Sequence, residues 1–190
     1  MTSTAPPATD RRAEWTGAAT DYVLEHGLIT LSLRPLAAAL GTSDRMLLYH
    51  FGTKDDLVAA VLRASNDRAC GAIRALPPST GVGGAVRDLW SAMEHPDVGP
   101  CTRMYVEAAA LGLLGREPYA SVAREANALW TEAVVAHFRK AGAPEPFARR
   151  AASIVDAAFM GFLLDLPLDE GDRKSTEVSD LAAAVVALAG

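Results

Sequence analysis

The sequence predicts an all-α protein with a short N-terminal helical domain and a larger C-terminal one. Alanine and leucine dominate the composition, whereas aromatic residues make up only 6% of the chain. Such a mixture favours helices over strands. Apolar residues recur at helical spacing, and no segment shows the alternation of a half-buried strand. Since half of the 190 residues are hydrophobic, there is ample material for a core.

The first three helices are predicted within the first fifty residues or so. Helix 1 should run from about Arg11 to His26, with apolar side chains at helical spacing and Gly27 ending it. Helix 2 is expected over residues 33–40, with Ser32 as its N-cap and Leu36, Ala37 and Leu40 packing inward. Helix 3 is expected over residues 43–50, with Thr42 or Ser43 as its cap.

The turn between helices 2 and 3 is the most informative segment. Gly41 suits the left-handed residue that closes a helix, and Leu47 and Phe51 form the apolar anchor of the next helix. Two short helices joined by a tight glycine-containing turn are typical of a helix-turn-helix, whose second helix can enter the DNA major groove. A fourth helix should start near Lys54, with Thr53 as its cap.

The rest of the chain reads as a helical block. Residues 77–84 are rich in proline and glycine and form the clearest break. An acidic polar loop is expected at residues 168–172. The remaining helices are predicted at residues 54–76, 85–93, 101–114, 118–140, 146–167 and 175–188. The predicted division is a disordered tail (1–10), a DNA-binding domain (11–53) and a second helical domain (54–190).

Charge and cysteine usage narrow the possible classes. The net charge is −5, and residues 1–64 carry six basic and seven acidic side chains. A nearly neutral DNA-binding end predicts modest non-specific affinity, which favours two copies per site. Cys70 and Cys101 show no metal-type pairing and are expected as idle thiols. With no signal core and no apolar span near the required ~20 residues, we expect a soluble, cytoplasmic protein without a cofactor.

A compact signature of the form aliphatic-aromatic-x-His-Phe-x-x-Lys-x-x-Leu falls on residues 47–57. The chain supplies Leu47, Leu48, Tyr49, His50, Phe51, Lys54 and Leu57 there, after Arg12, Ala18, Ala19, Gly27, Leu36, Ala37, Gly41 and Ser43. With these residues, the segment from Arg12 to Leu57 resembles the TetR family of bacterial transcriptional repressors. Two positions depart from the family pattern: Leu48 stands where the family usually has tyrosine, with Tyr49 directly after it, and Arg45 replaces a small residue or proline.

Helix 3 and its surroundings supply the candidate DNA contacts. Arg45 could give two donors to a guanine edge, Asp44 could accept from cytosine, and Met46 or Leu48 could lie against a thymine methyl. Arg34 matches a family position that reaches a base or the backbone. Each side chain also has a plainer interpretation: His50 and Leu48 as packing residues, Arg45 and Lys54 as solvated charges. The phosphate candidates are Thr42, Tyr49, His50 and Lys54, and Ser43 completes the predicted site.

The resemblance implies that residues 54–190 form an effector-binding and dimerisation domain, whose helices enclose a small, largely apolar effector. Larger side chains on the middle helices are the candidates, although aromatics and methionines at helical spacing usually indicate core. Tyr105, Glu107 and His137 are the polar members. The candidates are Trp90, Met93, Met104, Tyr105, Glu107, Leu111, Trp130, His137, Phe159 and Phe162.

The last two helices are the expected homodimer interface. The helix at residues 147–166 is apolar on nearly every side, which predicts burial all round. Ala157, Ala158 and Gly161 are small enough for close helix approach, and intramolecular burial alone is the alternative. The resemblance implies a dimer that binds palindromic operator DNA through its two DNA-binding domains. An effector that favours another spacing of these two domains releases the dimer from the DNA.

Two other classes of function remain open. An enzyme would need a catalytic motif, but the chain has no Gly-rich phosphate loop, zinc-protease motif or nucleophile elbow. His95, Asp97 and Cys101 around a Pro-Gly loop are weak evidence for a metal. A helical protein-interaction module with a vestigial helix-turn-helix is the second alternative, and DNA binding distinguishes it from a regulator.

Overall fold

The computed structural model describes residues 8–165 and 173–188, which form nine helices and no strand. The all-α prediction is confirmed. The first helix begins at Ala8, three residues before the predicted start. The rest of the predicted tail and the acidic loop at residues 168–172 lie outside the described residues.

The helices follow the predicted order, with ends that differ by a few residues. Their bounds are α1 Ala8–His26, α2 Leu33–Ala39, α3 Asp44–Phe51, α4 Lys54–Ala75, α5 Gly81–Glu94, α6 Gly99–Leu113, α7 Tyr119–Lys140, α8 Glu145–Asp165 and α9 Arg173–Ala187.

The chain divides into two compact units. Unit 1 comprises Met1–Arg68 and Pro100–Ala126, and unit 2 comprises Ala69–Gly99 and Asn127–Gly190. Helices α4 and α7 therefore contribute residues to both units. The predicted functional division after residue 53 is a different kind of boundary and stays a prediction.

The core of unit 1 joins the helix-turn-helix to α4 and α6. Leu36, Leu47, Leu57 and Val58 are fully buried, and Met104 of α6 packs into the same cluster. Burying one such side chain contributes about 1.5–3 kcal/mol. Helices α2 and α3 are too short to be stable alone, so this shared core holds them.

Unit 2 is built around α5, α8 and α9. Helix α5 begins at Gly81, four residues before the predicted start. Glycine has a low intrinsic helix propensity, but tertiary packing can outweigh it. A Cβ at Gly83 would lie 3.2 Å from Cγ2 of Val186 on α9. Gly83, which the sequence places in the predicted break at residues 77–84, therefore lies in α5 at the point where α9 approaches closely.

The single chain does not cover α8 on all sides, and the burial of its remaining face by a second subunit stays a prediction. Val155 and Phe159 are buried, whereas Ile154 is 40% and Leu164 61% exposed. Ala157 and Gly161 are exposed on the same stripe, since the spacings of 3, 4 and 3 residues return to one helix face. The apolar composition of α8 thus exceeds what its own chain covers.

Cys70 and Cys101 are both buried, and neither forms a disulfide. None of the helices in residues 8–165 and 173–188 is long and apolar enough to cross a membrane.

Candidate nucleic-acid interface and effector site

The turn between α2 and α3 has the geometry of a helix-closing motif. Gly41 adopts φ +64°, a conformation that L side chains rarely adopt. The N–H of Gly41 donates to the Ala38 carbonyl at 3.2 Å and that of Thr42 to the Ala37 carbonyl at 2.9 Å. These two bonds satisfy the last carbonyls of α2, so the chain turns sharply into α3, as the sequence predicted.

Ser43 is the N-cap of α3. Its Oγ accepts a hydrogen bond from the Met46 N–H at 3.2 Å, which satisfies one of the free donors at the helix start. Ser32 occupies the equivalent position before α2, but its side chain makes no cap bond. The N-cap position of Ser32 was predicted correctly, and its capping hydrogen bond was not formed.

Helix α3 buries one side and exposes the other. Leu47 is 0% and Phe51 4% exposed. Their burial packs α3 against the other helices of unit 1. Tyr49 is 78% exposed. The other exposed residues of the recognition surface are Ser43, Asp44, Arg45, Met46 and Leu48. The predicted separation between anchor and recognition residues is therefore present.

The residues predicted to contact phosphate differ in their surroundings. Arg34 is exposed in the first turn of α2, and Thr42 is half-buried. His50 lies between two aromatic rings, with its centroid 4.8 Å from Trp15 and 5.1 Å from Tyr49, both edge-on. His50 thus has a packing role, which leaves any contact to DNA as a prediction.

Lys54 is tied to the helix-turn-helix. Its Nζ donates to the Leu31 carbonyl at 2.7 Å, directly before the N-cap of α2. An ammonium has three donors, so this bond positions the charge without using all of them. Thr53 and Asp56 form reciprocal cap bonds at the start of α4, and the bonds from Thr53 hold the pKa of the Asp56 carboxyl below its ordinary value.

Two arginines at the start of α1 were not among the predicted contacts. The guanidinium carbon of Arg12 lies 5.5 Å from the centroid of the Phe51 ring, and that of Arg11 lies 5.9 Å from that of Trp15. Cation–π packing of this kind holds the guanidinium groups beside the C-terminal end of α3. From the sequence, Arg12 was considered only as part of the family pattern. Arg11 and Arg12 lie four and three residues before Trp15 on one helix, and this spacing could have indicated a contact between an arginine and an aromatic ring.

Glu107 serves the turn between α1 and α2. Its Oε2 accepts hydrogen bonds from the N–H groups of Leu28 and Ile29, each at 2.8 Å. These donors follow Gly27, where α1 has ended. Glu107 was predicted as a ligand contact; its observed bonds are structural, and the ligand role remains a prediction.

The other candidate effector residues fall into two groups. Met104, Tyr105 and Leu111 belong to unit 1, like Glu107, and Met104 is buried in the unit 1 core. The remaining six, all in unit 2, are Trp90, Met93, Trp130, His137, Phe159 and Phe162.

Three aromatic rings form a cluster in unit 2. The centroid of the Trp90 ring lies 5.1 Å from that of Phe159 and 5.8 Å from that of Phe162, both in edge-on arrangements. Trp90 and Phe159 are buried, and Phe162 is half-buried. Trp130 packs against the same core, and its Nε1 donates to Oδ1 of Asp156 at 3.0 Å. Asp156 was missed by the sequence analysis, which ranked large side chains.

His137 is fully buried and bonded to Ser79, with 2.9 Å between its Nε2 and the serine Oγ. Burial lowers the pKa of the imidazole; Asp88 acts in the opposite direction and Lys140 in the same one. Its Nδ1 has no hydrogen-bond partner within the described part of the chain. A neutral imidazole fits this site, because charging it would require an uncompensated buried charge.

Comparison with known proteins agrees with this geometry. The sequence profile of "Bacterial regulatory proteins, tetR family" matches residues 17–61, which include the whole helix-turn-helix. The N-terminal part of the chain therefore matches the TetR family. The HTH-type transcriptional repressor Rv3405c of Mycobacterium tuberculosis (strain ATCC 25618 / H37Rv) is 44% identical over 69 residues, which is 31% of this chain and 37% of that protein. This chain thus matches little more than a third of the length of that repressor.

Solved structures with the TetR-family fold cover nearly the whole chain. The multidrug binding protein EbrR, complexed with ethidium, is 26% identical with a TM-score of 0.66, covering 92% of this chain and 98% of that one. Salmonella enterica GusR is 22% identical with a TM-score of 0.68, covering 94% of each chain. The shared fold therefore extends from the helix-turn-helix through the C-terminal helices.

The enzyme alternative finds no support among these proteins, since the related regulators and structural neighbours are not enzymes. Within residues 8–165 and 173–188, no group of three or more histidine, cysteine or acidic side chains could hold a metal ion. His95 and Asp97 lie 3.4 Å apart, which makes them at most an exposed pair.

Proposed function

We propose that this chain is a transcriptional repressor that binds palindromic operator DNA as a homodimer and is released by a small, largely apolar effector. The observation that carries the proposal is the surface of α3. Leu47 and Phe51 are buried in the core, while Asp44, Arg45 and Tyr49 remain exposed on a helix that follows a capped turn.

The exposed residues of α3 have complementary uses in a major groove. Arg45 can donate two hydrogen bonds to guanine, and Asp44 can accept one from cytosine. In the free protein Oδ1 of Asp44 accepts from the Arg45 N–H at 3.0 Å, so a cytosine contact would use the other oxygen. Met46 and Leu48 offer apolar contacts to thymine methyl groups.

Backbone contacts would come from the rim of this surface. Arg34, Thr42, Tyr49 and Lys54 are the main candidates, with the Arg12 guanidinium beside Phe51 as an addition. Because positive and negative charges nearly balance in residues 1–64, each DNA-binding domain should bind DNA only modestly through phosphate contacts. Two DNA-binding domains on one operator would together bind it more tightly.

The exposed stripe of α8 supports dimerisation. Ile154 and Leu164 lie on the same face as Ala157 and Gly161, and Val186 of α9 is 49% exposed. Contiguous apolar residues around small ones suit a two-fold helix–helix interface. Two such subunits would place their α3 helices in successive major grooves, ~34–36 Å apart.

Effector binding is supported by the aromatic cluster of unit 2 and by ligand complexes of EbrR, which has been solved with imidazole, proflavin and ethidium. An effector that binds better to a conformation unable to span both half-sites would shift the population and lower DNA affinity. We expect α4 to act as the lever, and the protein to work in the cytoplasm.

Selection of bound fragments from random DNA tests the proposal. The purified protein should enrich a palindromic sequence, and fluorescence anisotropy should show binding that weakens as salt rises. Arg45→Ala should lose about 1–3 kcal/mol and relax preference at one base pair per half-site. Lys54→Ala should weaken binding to all sequences alike.

Arg116→Ala is the matched control, since Arg116 is an exposed arginine between α6 and α7. It should bind like the wild type. Failure to enrich any sequence, or equal binding by wild type, Arg45→Ala and Lys54→Ala, would favour an interaction module with a vestigial helix-turn-helix.

Light scattering tests the dimer. Ile154→Glu should give monomers, because it puts a charge in the centre of the proposed interface. Leu113→Glu is the control, since Leu113 is an exposed leucine at the end of α6. If Ile154→Glu remained dimeric, the interface would lie elsewhere.

A further inference from the structure

A half-buried carboxylate of unit 2, that of Asp156, has no cationic partner among the described residues. Asp156 lies on α8 and accepts one hydrogen bond, from the Trp130 indole on α7. Its side chain forms no ion pair with any residue in the ranges 8–165 and 173–188. The ion pairs of Glu132, Glu145 and Arg149 on the same two helices are all exposed.

The single indole bond does not compensate for burial. An ionised carboxylate can accept several hydrogen bonds, and removing it from water without a counter-charge is costly. Burial raises the pKa of Asp156, and the bond from Trp130 opposes this shift. An alanine or leucine at position 156 would avoid the cost, so fold stability alone does not account for an aspartate there.

The surroundings of Asp156 are rich in π-electron faces. Phe159 follows it by three residues, on the same face of α8, and its ring meets that of Trp90. Phe162 lies one turn further along α8, and Trp130 packs on the same core. A cation near such rings is attracted by their electron-rich faces, most strongly by tryptophan.

We propose that Asp156 is the charge-recognition residue of the effector site, and that the effector is a flat aromatic cation whose rings lie against Trp90, Phe159 and Phe162. Trp130 is a positioning residue, which holds the carboxylate at the edge of the aromatic cluster. This proposal rests on the proposed effector-binding function and narrows its ligand class from apolar to apolar and positively charged.

A purely structural role for Asp156 makes a different prediction. In that case the Trp130 bond ties α7 to α8, and any acceptor of similar shape suffices. Asp156→Asn separates the two explanations, because its amide oxygen can accept the same indole bond while the charge is removed. Asp165→Asn, at an exposed position on the same helix, removes an equal charge away from the cluster.

Two probes of the same shape test the charge. N-methylquinolinium is a flat aromatic cation, and 1-methylnaphthalene is its neutral counterpart. Calorimetric titration of the full-length wild type should give at least tenfold tighter binding of the cation, which corresponds to about 1.4 kcal/mol. Asp156→Asn should abolish this preference and change the affinity for 1-methylnaphthalene by less than twofold. Asp165→Asn should retain the preference.

Other outcomes overturn the proposal. Equal binding of the two probes by the wild type, a preference that survives in Asp156→Asn, or no binding of either probe at millimolar concentration would each do so. Thermal melts of both variants show whether they fold. DNA selection is independent: DNA binding without an Asp156-dependent preference refutes this inference alone, whereas the preference without DNA binding refutes the regulator function alone.

Discussion

Replacement of Glu107 by alanine tests how α6 supports the turn before the helix-turn-helix. One carboxylate oxygen accepts from two backbone N–H groups at 2.8 Å. The two donors differ in access to water, because Leu28 is 1% exposed and Ile29 63%. Water can replace the acceptor at Ile29 but not at Leu28. The variant should therefore be destabilised chiefly by one orphaned buried donor, a cost of about 1–3 kcal/mol.

Hydrogen exchange measures this cost at the amide concerned. A loss of about 2 kcal/mol corresponds to ~30-fold faster exchange of the Leu28 amide, if that amide exchanges through local opening. Glu107→Gln retains an acceptor oxygen and should show a smaller change. Glu14→Ala, at an exposed position on α1, should stay within about 0.5 kcal/mol of the wild type.

Unchanged exchange at Leu28 in Glu107→Ala, with Glu14→Ala as reference, would refute the reasoning. It would mean either that the Glu107 carboxylate does not hold the turn in solution or that another acceptor replaces it at no cost. A loss confined to Ile29 would show that the assignment of the buried donor is wrong.

Three further predictions concern caps and titration. Ser43→Ala should lower the free energy of unfolding by about 1 kcal/mol in urea titrations, because it removes the acceptor for the Met46 N–H; Ser43→Asn should recover most of the loss, and equal stability of all three proteins would contradict it. Burial lowers the pKa of His137 below its ordinary 6.5. Stability should therefore fall as pH drops below about 6.5, where only the unfolded state takes up the proton. Thermal melts of His137→Leu should lack this part of the pH dependence; the same dependence of melting temperature on pH in the variant and the wild type would refute the prediction. Burial raises the pKa of Asp156, so the folded state binds the proton more tightly than the unfolded state. The free energy of unfolding should therefore fall as pH rises from the ordinary aspartate pKa to the raised one. Above that pH range Asp156→Asn should melt no lower than the wild type; a lower melting temperature would mean that other interactions compensate for burial of the carboxylate.

The local features of the helix-turn-helix could be predicted because each depends on residues close in sequence. Gly41 closes α2 through bonds to Ala37 and Ala38, and Ser43 caps α3 through Met46. The burial of Leu47 and Phe51 follows from helical spacing. Ser32 shows the limit of such reasoning, since a residue suited to capping occupies the N-cap position without forming the bond.

One error has its origin in tertiary packing. Helix propensity placed the start of α5 after its glycines, but the approach of α9 at Gly83 extends the helix back to Gly81. Composition predicted an α8 buried on every side; one chain leaves Ile154 and Leu164 exposed, and their burial by a second subunit stays a prediction. Propensity and composition do not specify which neighbour covers a face.

The sequence by itself determined the helical class, the order of the helices and the exposed face of α3, because helix periodicity and capping act over three or four residues. Only the tertiary structure decided the distant partners of the polar side chains. Glu107 finds its donors 78 and 79 residues away, and Asp156 meets Trp130 across two helices. Such pairs depend on how the helices pack against one another. Glu107, expected to contact a ligand, therefore stabilises a turn, and Asp156, which the sequence did not single out, accepts a hydrogen bond from Trp130.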